Sequence, residues 1–157
     1  MQPEPHAPPG TVSPRGLWRL VRTLWLVGLI AALAVGLVLP FLITPHGTEL
    51  SPIAPWVWLL ASMFELAVIL FFKRQSRVRI RQSAPKSIDE LITVIALNWL
   101  VIVVMPLTPV AFAAIIFWMS GDRTWHSIFT GFALAGFFLA WPTLEQYRDV
   151  LPWMPLA

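Results

Sequence analysis

Four stretches of the chain are apolar for long enough to organise everything else, and short polar segments separate them. The first runs over residues 24–43, the second over 53–72, the third over 88–118 and the fourth over 125–142. A helix needs roughly 20 predominantly apolar residues to cross a bilayer. The runs are rich in Leu, Val, Ile, Ala and Phe without strand-like alternation, so they predict helices and not barrel strands. The expected fold is all-α: an integral membrane bundle of four transmembrane helices, with the third long and Pro-kinked.

Local signals mark the ends. Arg15, Arg19 and Arg22 precede the first run, which is expected to end near Pro40. It is too long for the apolar centre of a signal peptide, and no small-x-small cleavage site follows it. Ser51 followed by Pro52 reads as an N-cap with Pro at the first helical position of the second span. Ser87 and Glu90 form a capping box before the third, and Asp89 and Glu90 suit the positive end of its dipole. Pro106 and Pro109 interrupt the third run. The favoured reading is a kinked continuation; the alternative is a stop near Met105 with 106–119 re-entrant or interfacial. Ser120 to Arg123 reads as a turn. Residues 1–14 are Pro-rich and read as a disordered tail, and 144–157 as an interfacial carboxyl-terminal tail. The transmembrane domain is therefore placed at 15–143.

Composition agrees: 57% of residues are hydrophobic and 12% charged, against about 25% charged in soluble domains. The absence of cysteine excludes disulfides and thiol chemistry. Of the nine Trp, only Trp99 lies well inside an apolar run; the others sit near run ends, where interfacial aromatic belts collect. Charge orients the chain. With four spans and both termini inside, ten of the eleven Lys and Arg are cytoplasmic and only Arg123 is outside. The expected location is a prokaryotic inner membrane, multi-pass, with both termini in the cytoplasm.

Few residues offer chemistry. Glu65 is the one acid well inside an apolar run, and an intramembrane acid marks either a proton or cation site or an interhelical polar contact. By counting depth along each helix, Asn98 and Ser62 are its expected partners. Gly28, Ala32 and Gly36 recur at spacing four and suit close helix packing. The basic loop carrying Lys73, Arg74, Arg77, Arg79 and Arg81 sets orientation, and its alternative role is contact with anionic lipid headgroups. No aromatics interleave with these arginines, so nucleic acid is not an expected partner. His6, His46 and His126 lack metal-ligand spacing. There is no G-x-S-x-G, H-E-x-x-H, Walker A or paired-carboxylate motif. Neither an enzyme, a metal site nor a cofactor is expected; the expected partners are membrane lipids, and a homo-oligomer or larger membrane complex.

Residues 58–73, WLLASMFELAVILFFK, resemble the first helix of the small multidrug resistance transporters, with a membrane glutamate and a Lys at the helix end. Residues 106–121, with Thr108, Ala111, Phe112, Trp118 and Gly121, faintly resemble that family's third helix. The resemblance implies Glu65 as a shared proton and substrate site, with Trp118 lining the pocket. It covers two short apolar pieces. An extra helix before the glutamate, the long basic loop, and Asp122 and Arg123 where that family's helix continues all depart from the pattern. It does not assign the chain to that family. The leading expectation is an accessory or structural membrane subunit acting through helix–helix and lipid contacts; the alternative is a proton-coupled carrier or channel built around Glu65.

Overall fold

The computed structural model describes residues 14–83 and 88–143. These form six helices and no strands: α1 (Pro14–Leu37), the single turn α2 (Leu39–Leu42), α3 (Ala54–Ser83), α4 (Ile88–Val104), α5 (Leu107–Ser120) and α6 (Arg123–Leu139). The tails at 1–13 and 144–157, with Lys86 and Ser87, lie outside the described residues. Three helical stretches are long and apolar enough to cross a membrane: Arg15–Leu37, Ala54–Ile80 and Asp89–Ser120. The last combines α4 and α5. α6 has 17 residues, about 25 Å at 1.5 Å per residue.

Contacts along the helices fix their relative directions. The Gly28 Cα faces the Phe137 ring, while Gly36 faces Thr130. α1 and α6 are therefore antiparallel. Trp56 meets Trp125 in an edge-on contact at 5.1 Å, and Lys73 Nζ donates to Leu139 O at 3.0 Å. α3 therefore runs parallel to α6. Trp25 meets Trp141 at 4.7 Å, on the same side as Lys73 and Leu139. One end of the bundle thus gathers Trp25, Trp141 and Lys73, and the other gathers Trp56, Trp118 and Trp125.

Two features differ from expectation. The basic stretch after Phe72, expected as a loop, continues α3 as helix to Ser83. Arg, Lys and Gln are good helix formers; hydropathy ends at Lys73, but helix propensity does not. Ile80 is buried in the main core and anchors this extension. Likewise α1 begins at Pro14, about ten residues before the first apolar run. Its early turns pack Leu17, Trp18 and Val21 against the same core as Leu91 and Ile95 of α4. Three helix ends, rather than loose loops, therefore project past the level of Lys73.

The third apolar run breaks for two residues at Met105 and Pro106 and then resumes. Pro106 and Pro109 lack N–H groups, so two helical bonds cannot form. The Thr108 N–H shortens its reach to Met105 O at 3.1 Å. The break is packed: Pro106 is buried, and a Cβ on Gly136 would meet Pro106 Cβ at 3.0 Å. A side chain at Gly136 would require Pro106 to give way by a few tenths of an ångström, so the glycine favours this close approach of α6 to the bend.

At the far end, the loop after α2 closes over α5. His46 N donates to Trp118 O at 2.9 Å, and Thr48 N to Met119 O at 2.8 Å. These bonds satisfy carbonyls that a helix terminus leaves open. Gly121 ends α5 with φ 71°. Asp122 then caps α6, accepting from Thr124 N at 2.8 Å and Trp125 N at 3.1 Å.

Candidate functional site

Glu65 lies on α3, half-buried, on the side facing the bend between α4 and α5. The Thr108 hydroxyl lies beside its carboxyl group. Its Oε2 is buried and has no hydrogen-bond partner. The neighbouring Leu66 packs near Gly136, close to Pro106. The only acid of the second apolar run is therefore held at the helix break, beside a hydroxyl.

Both partners expected from the sequence bond carbonyls of their own helices. Ser62 is buried, but its Oγ donates to Trp58 O at 3.0 Å, one turn back on its own helix. Asn98 Nδ2 donates to Val94 O at 2.9 Å, again within its own helix. Depth explains the difference. Lys73 Nζ stands 5.4 Å from the centre of the Trp99 ring, which aligns these two residues. Glu65 is eight residues from Lys73, and Thr108 nine residues from Trp99, or about 12 and 14 Å along their helices. Asn98 is almost level with Lys73 and so lies about a dozen ångströms from Glu65. Thr108 was discoverable as a polar residue beside a Pro, but only with this alignment in hand.

The small residues of α1 do form a packing face, directed at α6 within the same chain. Gly28 and Ala32 are buried. A Cβ on Gly28 would stand 2.6 Å from Phe137 Cε1, and one on Gly36 would collide with Thr130 Cγ2. The contact is reinforced by Trp25 Nε1, which donates to Phe137 O at 2.8 Å. His126, weighed in the sequence only as a metal ligand, sits at the same junction, 2% exposed. Its Nδ1 is 3.0 Å from Ala113 O and its Nε2 3.3 Å from Gly36 O. One imidazole thus bridges α6, α5 and α1.

The basic residues divide. Lys73 is half-buried; it places its ammonium at the carboxyl end of α6, on Leu139 O, and over Trp99. A cation there complements the negative end of the α6 dipole. Arg74 and Arg79 are exposed on the projecting end of α3, and Arg77 and Arg81 lie on the same helical segment. Trp118, implied as a pocket residue by the transporter resemblance, is half exposed at the opposite end of the bundle. There it packs on His46 at 4.9 Å. It is ten residues beyond Thr108, so about 15 Å from the Glu65 level.

The chain matches no family model, no curated protein and no solved structure at a significant level.

Proposed function

We propose that the chain is a four-span integral membrane protein that works as an accessory or structural subunit, through helix–helix and lipid contacts and without catalysing a reaction. In this reading α6 is the fourth crossing, both ends are cytoplasmic, and the membrane is an inner (plasma) membrane. The observation that carries it is where the polar side chains of the apolar helices are directed. Ser62, Asn98, Lys73, Trp25 and His126 all bond backbone carbonyls of this same chain. The outward faces carry Leu26, Val27, Ile30, Leu60, Phe64 and Phe71, each more than half exposed. Polar groups spent on internal bonds hold a bundle together and offer little to a solute in transit, while the apolar exterior suits lipid or another helix.

Two measurements test this. Reporters fused after Leu156 and within residues 77–83 are expected to read cytoplasm, and one at Gly47 the outside. An external carboxyl end would remove α6 as a crossing. Purification in a mild detergent is expected to recover the chain in a stoichiometric assembly, as copies of itself or with another membrane protein. A strictly monomeric chain with no co-purifying subunit would overturn the accessory role.

One observation favours a second reading, a proton-coupled carrier or channel: the buried, unpartnered Oε2 of Glu65 at a helix break. Such breaks form ion and substrate sites in transporters. Glu65→Gln keeps shape and hydrogen-bonding capacity and removes titration. In the structural role the variant keeps the stability and assembly of the wild type. A pH-driven uptake signal in vesicles, present in the wild type and lost in the variant, would establish the carrier instead.

A further inference from the structure

Between the projecting end of α3 and the middle of α4 lies an open groove of about 530 Å³, lined by Arg79, Gln82, Val94, Leu97 and Asn98. Arg79 and Gln82 are three residues apart and share one face of α3. Asn98 uses one amide hydrogen on Val94 O, and its amide has a second hydrogen to offer. No carboxylate lines the groove among the described residues. One wall, from α3, thus carries a cation and an amide, and the other, from α4, carries the aliphatic side chains of Val94 and Leu97 with the Asn98 amide.

Position identifies what fits such walls. Lys73, Trp25 and Trp141 mark the cytoplasmic edge of the apolar belt. Arg79 is six residues beyond Lys73, about 9 Å further along α3. The headgroup layer occupies the roughly 5–8 Å outside the hydrocarbon core, and a long Arg side chain can reach back into it. Leu97 is two residues from Trp99 and half exposed, close to that edge. A molecule lying here has its polar end at Arg79 and Gln82 and its apolar end at Leu97, beside Asn98.

We propose that this groove is a binding site for one anionic glycerophospholipid of the cytoplasmic leaflet. The phosphate is held by the Arg79 guanidinium and the Gln82 amide, the glycerol ester lies beside Val94 and Asn98, and the first acyl segments lie on Leu97. A guanidinium offers a planar fork of donors that suits phosphate oxygens. The surrounding charge reinforces the choice: residues 73–81 contain five Lys and Arg and no acid. The site rests on the reading of the chain as a membrane protein with its basic helix end on the cytoplasmic side.

The test is native mass spectrometry of the full chain, purified in detergent, with equimolar phosphatidylglycerol and phosphatidylcholine of matched acyl chains. The expected result is retention of phosphatidylglycerol at least about fivefold over phosphatidylcholine, the factor that a basic residue near an anionic surface contributes. Arg79→Gln and Gln82→Glu each lower that retention about fivefold. Arg74→Gln, an exposed residue on the same helix outside the groove, lowers it less than Arg79→Gln does. Gln82 is exposed, so Gln82→Glu keeps the test decisive if Arg79→Gln does not fold. Equal retention of the two lipids overturns the proposal. So does an equal loss in Arg74→Gln and Arg79→Gln, which means diffuse attraction rather than a site. Displacement of the lipid by millimolar glycerol phosphate or inorganic phosphate also overturns it, because the ligand is then a soluble anion. The reporter at 77–83 separates the two levels: an external reading removes the membrane topology, whereas a cytoplasmic reading with no lipid selectivity removes the groove alone.

Discussion

Gly28 and Gly131 sit on helices of the same bundle, yet replacing them should have opposite effects. A methyl on Gly28 meets the Phe137 ring at 2.6 Å, whereas a methyl on Gly131 meets nothing within 4 Å. Gly28→Ala forces the ring or α6 to shift, at a cost of about 1–3 kcal/mol, and Gly36→Leu at the Thr130 contact costs more. Gly131→Ala adds helix propensity worth about 0.5–1 kcal/mol. Thermal unfolding in detergent should show Gly28→Ala and Gly36→Leu below the wild type and Gly131→Ala at or above it. Equal melting points for Gly28→Ala and Gly131→Ala would mean that the α1 face does not pack on α6. Thr108→Val conserves shape while removing the hydroxyl beside Glu65, and should cost about 1 kcal/mol. No change in its melting point would mean that the hydroxyl contributes nothing there.

At the scale of elements, α6 is closed differently at its two ends. Its amino end is capped locally by Asp122, but its carboxyl end is met by the Lys73 ammonium from α3. Lys73→Met keeps the aliphatic stem and removes the charge. The loss of a helix-end cation and of the Trp99 contact should cost about 1–2 kcal/mol. Arg74→Met, one residue on but exposed, should be within about 0.5 kcal/mol of wild type. Equal effects for the two variants in an unfolding titration would remove Lys73 from this role. The elements were only partly legible in the sequence. Hydropathy located the apolar parts of the helices, and the Gly121 and Asp122 turn was readable from residue type. Hydropathy could not report that α3 continues past Lys73, because a solvated basic helix and a basic loop have the same composition. Nor could it place Asn98. Counting depth from Ile88 assumed that the third helix enters the membrane at its first residue, whereas the first ten residues of α4 lie beside the projecting ends of α1 and α3. The small-residue face of α1 was visible, but its partner was not, since spacing gives a face and not what it meets.

At the scale of the whole molecule, the two Trp tiers give the bundle a measurable height. Trp125 and Trp141 bracket α6 and belong to opposite tiers. They are 16 positions apart in the sequence, about 24 Å along a helix. A typical hydrocarbon core is about 30 Å thick. In the four-span reading the protein is too short for an average bilayer by roughly 6 Å, and such hydrophobic mismatch costs fractions of a kcal/mol per ångström. The surrounding lipid must thin to meet it. Neighbouring copies can share one thinned annulus instead of each maintaining its own, a force toward clustering that needs no specific side-chain contact. The consequence is an optimum in bilayer thickness: in vesicles the chain should unfold at the highest temperature in dimyristoyl lipids and at progressively lower temperatures as acyl chains lengthen toward dierucoyl. Its self-association should rise along the same series. A stability independent of chain length, or greatest in the thickest bilayer, would mean that the Trp tiers do not mark where the membrane ends.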